Sequence, residues 1–454
     1  PPAPPPVPSP APPPAPEMPE HPPWEREMQP AAEDTPLLAP AFGRKPSERA
    51  MRVHGRIYSH FLSTWDRGDD RDNSSSLARL GADARIQNPF RRGGRLHVDA
   101  EISQRAIDLG DGLDETEERY RLDRISYRWG GGRDDRFGVK LGRMLPTATP
   151  EIGLLDGVEL LMKTRSAGRL GLSVGALPEP LPDRQSGDDI GTTLSYRYSR
   201  GDREELALAV AYHQSWHQGE SDRNLIIGRA DYLPDRRVSI HSTVWVDYYG
   251  GDDRIKSQGF ELTQAQIHGS FRYRDGHGVR ASLSQLRWPE LLRKEFAVLP
   301  DAVVDDNRVT RASFSSWNRL SDHVRLEARL DHWSDQDESD TGGELTARFP
   351  GLWKQGNEIA VGIFRAAGAF GNGPGARLAM RQSFSKAFLE LSYELRSHEI
   401  DTFGGGSETL LEQAFRANLD LYTFRSWTLS LNGDYRFGDG QDALSSGILL
   451  QYRF

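Results

Sequence analysis

Three patterns in the chain place reactive side chains at spacings that could do chemistry. Gly171-Leu-Ser173-Val-Gly175 has the Gly-x-Ser-x-Gly spacing of a nucleophile elbow, where a strained turn between strand and helix lifts a serine hydroxyl toward a base. His213 and His217 are four apart, which on a helix would let two imidazoles share a metal. Asp335, Asp337 and Ser339 begin like the oxygen ladder of a calcium loop. Each pattern depends on the element beneath it, and here the elements are wrong. Leu170, Leu172 and Val174 alternate with Gly171, Ser173 and Gly175, as in a strand. Leu206, Leu208, Val210 and Tyr212 lead into the histidines with the same alternation, and on a strand those imidazoles stand roughly 13 Å apart. In the acidic segment the sixth position is Asp340 rather than glycine, and the twelfth is Thr346 rather than glutamate. No catalytic residue, metal site or cofactor is expected, and the histidines read as polar wall lining. Other Asp and His residues are scattered without a catalytic constellation, so the chain reads as a non-enzyme. The absence of cysteine excludes disulfide scaffolds, thiolate zinc sites and iron–sulfur clusters.

Period-two alternation runs through most of the chain. In 322–333, Val324, Leu326, Ala328 and Leu330 oppose Arg325, Glu327, Arg329 and Asp331. In 78–87, Ala78, Leu80, Ala82, Ala84 and Ile86 oppose Arg79, Asp83, Arg85 and Gln87. In 425–437, Trp427, Leu429, Leu431, Tyr435 and Phe437 oppose Ser426, Thr428, Asn432, Asp434 and Arg436. A strand separates such sets onto two faces, whereas a helix scatters them. These segments run to about ten residues or more, beyond the roughly 5–6 typical of soluble strands and enough to cross a bilayer when tilted. A mean hydropathy of −0.63 is compatible with this, since alternate residues of such strands are polar. Aromatic residues near segment ends (Trp65, Trp129, Tyr198, Tyr248, Tyr249, Tyr273, Trp333, Tyr422 and Phe424) suit interfacial girdles.

The connections alternate between long and short. Long ones fall at 66–74, 108–118, 146–155, 178–189, 250–258, 288–307, 334–343 and 399–408. Short ones fall at 165–168, 233–236, 275–278, 319–322, 385–386 and 423–426. The expected fold is all-β: a single transmembrane antiparallel up-and-down barrel over 51–454. Its strand number is even, best counted as about 22 within a range of roughly 18–22. The alternation breaks near Asp123–Arg124 and Thr263–Gln264, where a bulge would restore it. Residues 1–50 stand apart. Proline dominates up to Pro23, and the segment reads as an unstructured tether able to bind a periplasmic partner. The chain opens in Pro-Pro-Ala-Pro, as a processed protein would.

The last ten residues run Ser445-Ser-Gly447-Ile-Leu-Leu450-Gln-Tyr452-Arg-Phe454. Leu444, Ile448, Leu450, Tyr452 and Phe454 share one face. With Gly447, Leu450, Tyr452 and Phe454 at their spacing, the segment resembles the β-signal of bacterial outer-membrane β-barrel proteins. That resemblance implies recognition by the barrel-assembly machinery through edge-strand pairing. It also implies N- and C-termini on the periplasmic side, contact with outer-membrane lipid and lipopolysaccharide, and a last strand paired with the first near 53–61. The stretch Phe137-Gly-Val-Lys-Leu-Gly-Arg143, followed by Leu154-Leu-Asp156-Gly157-Val158, loosely resembles strands of porins and exopolysaccharide-export barrels.

The polar faces carry the expected lumen lining. Arg79, Arg85, Arg105, Arg325, Arg329, Arg396, Arg416, Arg436 and Arg453 stand against Asp83, Asp99, Glu101, Glu327, Asp331, Glu390, Glu394, Glu412, Asp420 and Asp434. Nine against ten is a balance, unlike the single-sign ring of a strongly ion-selective pore. Cross-strand ion pairs around a wet passage are expected instead. Connection 288–307, with Leu291, Leu292, Phe296, Val298 and Leu299, is the expected constriction. The acidic connections could bridge lipopolysaccharide phosphates through divalent ions. Without a basic field, no nucleic acid is expected as partner. Two functions fit: a channel for hydrophilic solutes or a secreted polymer such as exopolysaccharide, or a structural barrel anchoring an envelope complex through its tether.

Overall fold

The period-two segments become strands of one closed sheet. The computed structural model describes residues 45–68, 72–110, 114–132, 135–165, 168–179, 185–201, 203–251, 253–293, 301–368, 372–401 and 407–454. Most of the proposed tether lies outside them. The first strands are β1 (Arg52–Asp66), β2 (Asn73–Gln87), β3 (Arg95–Asp108), β4 (Glu115–Gly130), β5 (Phe137–Met144) and β6 (Leu155–Lys163). Next come β7 (Gly168–Ala176), β8 (Asp189–Arg200), β9 (Leu206–His217), β10 (Glu220–Tyr232), β11 (Val238–Tyr249) and β12 (Gly259–Arg274). They are followed by β13 (His277–Arg287), β14 (Arg308–Ser321), β15 (Val324–Ser334), β16 (Ser339–Pro350) and β17 (Asn357–Ala366). The last are β18 (Gly373–Ser383), β19 (Ala387–Asp401), β20 (Ser407–Phe424), β21 (Trp427–Gly438) and β22 (Gln441–Arg453).

Each strand pairs antiparallel with the next, and β22 returns to β1, so the 22-stranded sheet closes on itself. Closure leaves no edge of unpaired amides, the condition a sheet must meet in hydrocarbon. The seam runs from Arg56 opposite Arg453 to Asp66 opposite Ala443. Gly55 and Phe454 extend it by exchanging backbone hydrogen bonds of 3.0 and 3.1 Å. The pairing therefore reaches further along β1 than the 53–61 expected. No described helix is long and apolar enough to cross a membrane.

Both breaks in alternation are bulges. Asp99 faces Arg124 and Ala100 faces Leu122, so Asp123 is the extra residue of β4. Trp245 faces Gln264 and Val246 faces Leu262, so Thr263 is the extra residue of β12. A third, at Asp222 in β10, carries no break in the sequence pattern.

The two faces invert the usual rule of burial. Leu80, Leu194 and Ile363 are 55%, 56% and 61% exposed, whereas Glu159, Asp247 and Thr263 are 2%, 1% and 1% exposed. Apolar side chains point out of the ring and polar ones into it, as a barrel in lipid requires. Trp65, Trp129, Tyr248 and Tyr273 are exposed on the outer face. Tyr249 and Trp333 depart from the girdle expected of them. Consecutive strand residues face opposite ways, so Tyr249 turns inward, 4% exposed, beside the outward Tyr248. Trp333 shares the inward face with Arg329 and Asp331.

The connections sort by end. The strand ends flanking 67–72, 109–114, 145–154, 177–188, 250–258, 288–307, 335–338, 367–372 and 402–406 lie at the end away from both terminal strand ends. At that same end 218–219 and 439–440 are tight hairpins and 335–338 is short, against its generally longer connections. At the terminal end, residues 45–50 dock on the β2–β3 connection. The Asn88 amide donates to the carbonyls of Pro46 and Arg49 at 2.9 and 2.7 Å. Asn88, Phe90 and Arg91 all hold positive φ there, a cost that the fixed geometry of this docked turn must offset.

Candidate functional site

The Ser173 and histidine patterns lie in strands, as their alternation predicts. Gly171–Gly175 runs through β7 without a turn into helix. His213 is 4% exposed, with Nδ1 2.9 Å from the Thr193 hydroxyl, and the His217 Nδ1 lies 2.7 Å from Asp189. Ser339 and Thr346 both lie in β16, so no twelve-residue loop surrounds Asp335. Among the described residues, no cluster of three or more His, Asp or Glu side chains could hold a metal.

The inner face is where the side chains converge, and two alternating ladders of charge cross it. In one, Arg348 lies 3.0 Å from Glu327 and 3.2 Å from Glu358, while Arg381 lies 3.9 Å from Glu358 and 2.8 Å from Glu390. This ladder joins five consecutive strands, β15 to β19. In the other, Glu394 lies 2.8 Å from Arg377 and 3.5 Å from Arg416. Asp434 continues it, 2.8 Å from Arg416 and 3.0 Å from Arg436, so this ladder spans β18 to β21. Period-two strands put one inward side chain beside its neighbour's, so an Arg–acid alternation between strands becomes a hoop. Arg348, Glu358, Arg377 and Arg381 were missed by sequence reasoning. Their signal was present in the alternation of Arg377, Ala379 and Arg381 with Ala376, Leu378 and Met380.

The other expected lining residues fall around these ladders. Arg329 pairs within its own strand with Asp331 at 2.7 Å. Arg325 stands opposite Arg348, Arg396 opposite Glu412, and Asp420 opposite Ser430. On the far side of the seam, Glu101 lies 3.9 Å from Arg79 and accepts the Tyr58 hydroxyl at 2.7 Å. The Tyr58 ring occupies the space that a side chain at Gly81 would fill, which explains glycine there. Asp83 lies 3.0 Å from His97, Asp99 stands opposite Asp83, Arg85 opposite His97, and Arg105 opposite Glu117.

Between β5 and β12 part of the inner face is covered, near the end away from the termini. Connection 145–154 folds inward and is pinned by Glu159, whose carboxylate accepts the Thr147 amide and hydroxyl at 2.6 and 2.7 Å. Met144, Leu155 and Leu177 close a small core under it. Its tip carries Ile152 onto Ala211, Leu225 and Ile227, with Trp245 alongside, and Glu151 to 3.3 Å from Arg229. The contact therefore bridges several strands across the interior. The described start of 288–307 also turns inward. Asp222, the bulge residue, accepts the Leu292 amide at 2.5 Å and the Ser215 hydroxyl at 3.0 Å. Glu290 accepts the amides of Arg254, Ile255 and Lys256 from the adjoining connection. The space left between the two infolded segments and the wall is about 30 Å³, room for about one or two waters. Beneath them Arg223 grips Asp247 through two bonds of 2.6 and 3.0 Å. Nothing in the sequence set connection 145–154 apart from the other long connections. Leu291 and Leu292 meet the inward expectation, while Phe296, Val298 and Leu299 lie outside the described residues.

The residues expected to form a terminal signal lie in or beside the seam strand. Leu450 and Phe454 are exposed outward, and the Tyr452 ring lies tilted against Trp427, centroids 4.8 Å apart. A side chain at Gly447 would meet the Asn432 amide. Arg143 and Asp156, from the porin-like stretch, face each other on the outer face and form two hydrogen bonds of 2.7 and 2.6 Å.

No protein-family model matches the chain, and no curated protein is significantly similar to it. Solved structures do align with it. The P pilus usher (PapC) translocation pore is 11% identical over 89% of this chain and 99% of that one, with a TM-score of 0.47. OpdQ of Pseudomonas aeruginosa is 10% identical over 89% and 99%, with a TM-score of 0.43. OccK7 (OpdD) of the same organism is 11% identical over 89% and 98%, with a TM-score of 0.45. The barrel itself is read from the strand pairing of this chain.

Proposed function

We propose that the chain is an outer-membrane channel that passes hydrophilic solutes, or a secreted polymer such as an exopolysaccharide, through a wide and charge-balanced lumen. The observation that carries this reading is the closed ring of 22 strands with apolar residues outward and ladders of alternating charge inward. A ring of 16–18 strands already leaves an aqueous channel, and wider natural ones are plugged. Here the infolded 145–154 and the start of 288–307 narrow one arc and leave the other bare. In this reading Arg79, Asp83, Arg85, Asp99, Glu101, Arg105, Arg325, Glu327, Arg329, Asp331, Glu390, Glu394, Arg396, Arg416, Asp420, Asp434 and Arg436 line the passage. Both termini face the periplasm, and the end with longer connections faces outward into lipopolysaccharide. Gly447, Leu450, Tyr452 and Phe454 form the signal read by the barrel-assembly machinery.

Planar-bilayer recording of the purified barrel tests the reading. Stable single-channel steps, with similar permeability for small cations and anions of equal size, are expected. A sealed barrel would favour the second reading, a structural anchor for an envelope complex. That alternative draws on the docking of residues 45–50, which fixes where a proline-rich tether would leave the rim. Removing residues 1–44 should leave conductance intact in the first case and abolish complex assembly in the second.

A further inference from the structure

One recess of the inner wall is lined by more cations than acids. It lies on β1 to β4, toward the end away from the termini, and measures about 280 Å³. Four guanidinium groups line it, those of Arg79, Arg105, Arg119 and Arg121, against the carboxylates of Glu101 and Glu117. Both carboxylates are already committed. Glu101 takes the Tyr58 hydroxyl and lies 3.4 Å from Arg121; Glu117 takes the Arg119 Nε–H at 2.6 Å. Arg121 also reaches Asp123, just outside the lining, at 2.8 Å. Two of the cations are left under-used. The Arg79 Nε is buried without a hydrogen-bond partner, with Glu101 only at a long 3.9 Å, and Arg105 has no hydrogen bond or ion pair among the described residues. Ser75 and Ser103 add polar lining, and Leu62 and Leu77 add an aliphatic patch.

We infer that this recess is a binding subsite for a hydroxylated organic monoacid of sugar-acid type. The inference rests on the channel reading and gives it a substrate class. Guanidinium forks match a carboxylate in geometry and charge, so Arg79 and Arg105 take the acid group. Glu117, Ser75 and Ser103 meet hydroxyl groups, while Leu62 and Leu77 meet the C–H face of a ring. The two carboxylates of the wall repel a second negative charge, which favours a monoanion over phosphate or a dicarboxylate. Selectivity then resides in a local site and not in a ring of one sign.

Glucuronate, with glucose as its uncharged match, is the probe. In detergent, titration calorimetry of the whole barrel should show glucuronate binding and no glucose binding. Arg79→Gln with Arg105→Gln should weaken glucuronate by about tenfold or more, the effect of losing charge-assisted hydrogen bonds. Arg236→Gln, in a connection at the far end, should leave binding unchanged. Retained heat-modifiable gel migration confirms that each variant is a folded barrel. In bilayers, glucuronate should interrupt the current of the native barrel and spare the double variant. Equal binding by native barrel and double variant, or no glucuronate binding by a folded native barrel, overturns the subsite. The latter would mean that the chain's own acids already neutralise the arginines. Binding by a barrel that never conducts would keep the subsite and remove the channel.

Discussion

Two arcs of the same wall use their inward polar residues in opposite ways. Between β5 and β12 some of those residues are roofed over by infolded connections, and Glu159, Asp247 and Thr263 are nearly inaccessible. From β14 through the seam to β4 Glu101 is buried among the wall's own side chains, but Arg377, Arg381 and Arg436 remain 41%, 46% and 46% exposed. The first arc holds fully desolvated, multiply bonded groups that fix backbone in place. The second holds a solvated mesh of exchangeable pairs. Identical chemistry, arginine against carboxylate, is structural in one place and mainly a surface for solutes in the other. Exposed pairs contribute little to stability, while a buried pair is costly to break from one side only.

The sharpest way to break this contrast is to remove one acid from each arc. Asp247→Ala takes away the two-pronged acceptor of Arg223, whose side chain is only 11% exposed, and the acceptor of the Thr263 hydroxyl. A loss of about 3–5 kcal/mol is expected, read as a lowered urea midpoint. Glu159→Ala comes next. It leaves the Thr147 amide and hydroxyl without their acceptor and frees 145–154 from the wall, at about 2 kcal/mol. The same variant should raise mean conductance, since the roof over the arc loosens; unchanged conductance would mean that 145–154 does not narrow the passage. Asp434→Ala should have the smallest effect. It breaks an exposed ladder at Arg416 and Arg436, costs less than about 1 kcal/mol, and should become indistinguishable from native in about 1 M salt. Equal losses for Asp247→Ala and Asp434→Ala would erase the distinction between the arcs.

Much of this was legible from alternation alone. The strand number, the connection phase, the bulges at Asp123 and Thr263 and the closing partner of β22 all follow from which residues must share a face. Period two is a local property, and a barrel built from consecutive hairpins is nearly all local. What alternation does not encode is distance across the ring. Nothing near Ile152 announces that it meets Leu225, and nothing near Leu292 announces Asp222. The bulge at Asp222 escaped notice because Ser221 and Asp222 are both polar, so an extra residue leaves no visible break. The inward turn of Tyr249 could have been foreseen, because Tyr248 beside it already claimed the outer face.

The arcs also differ in height. β1 has fifteen residues, and its outward apolar run extends from Val53 to Trp65. β5 has eight, and its run from Phe137 to Leu141 ends against the outward pair of Arg143 and Asp156. At about 3.4 Å per residue and a tilt of about 40°, the first run covers roughly 30 Å of depth and the second only about 10 Å. Lipid beside β5 must therefore thin to avoid stranding acyl chains against charge, a deformation costing fractions of a kcal/mol per Å of mismatch. The barrel would sit in a dimple on one flank only. Such a flank is where a neighbouring protein with a similarly low wall would settle to share the thinned patch, giving the molecule a preferred side within the plane of the membrane.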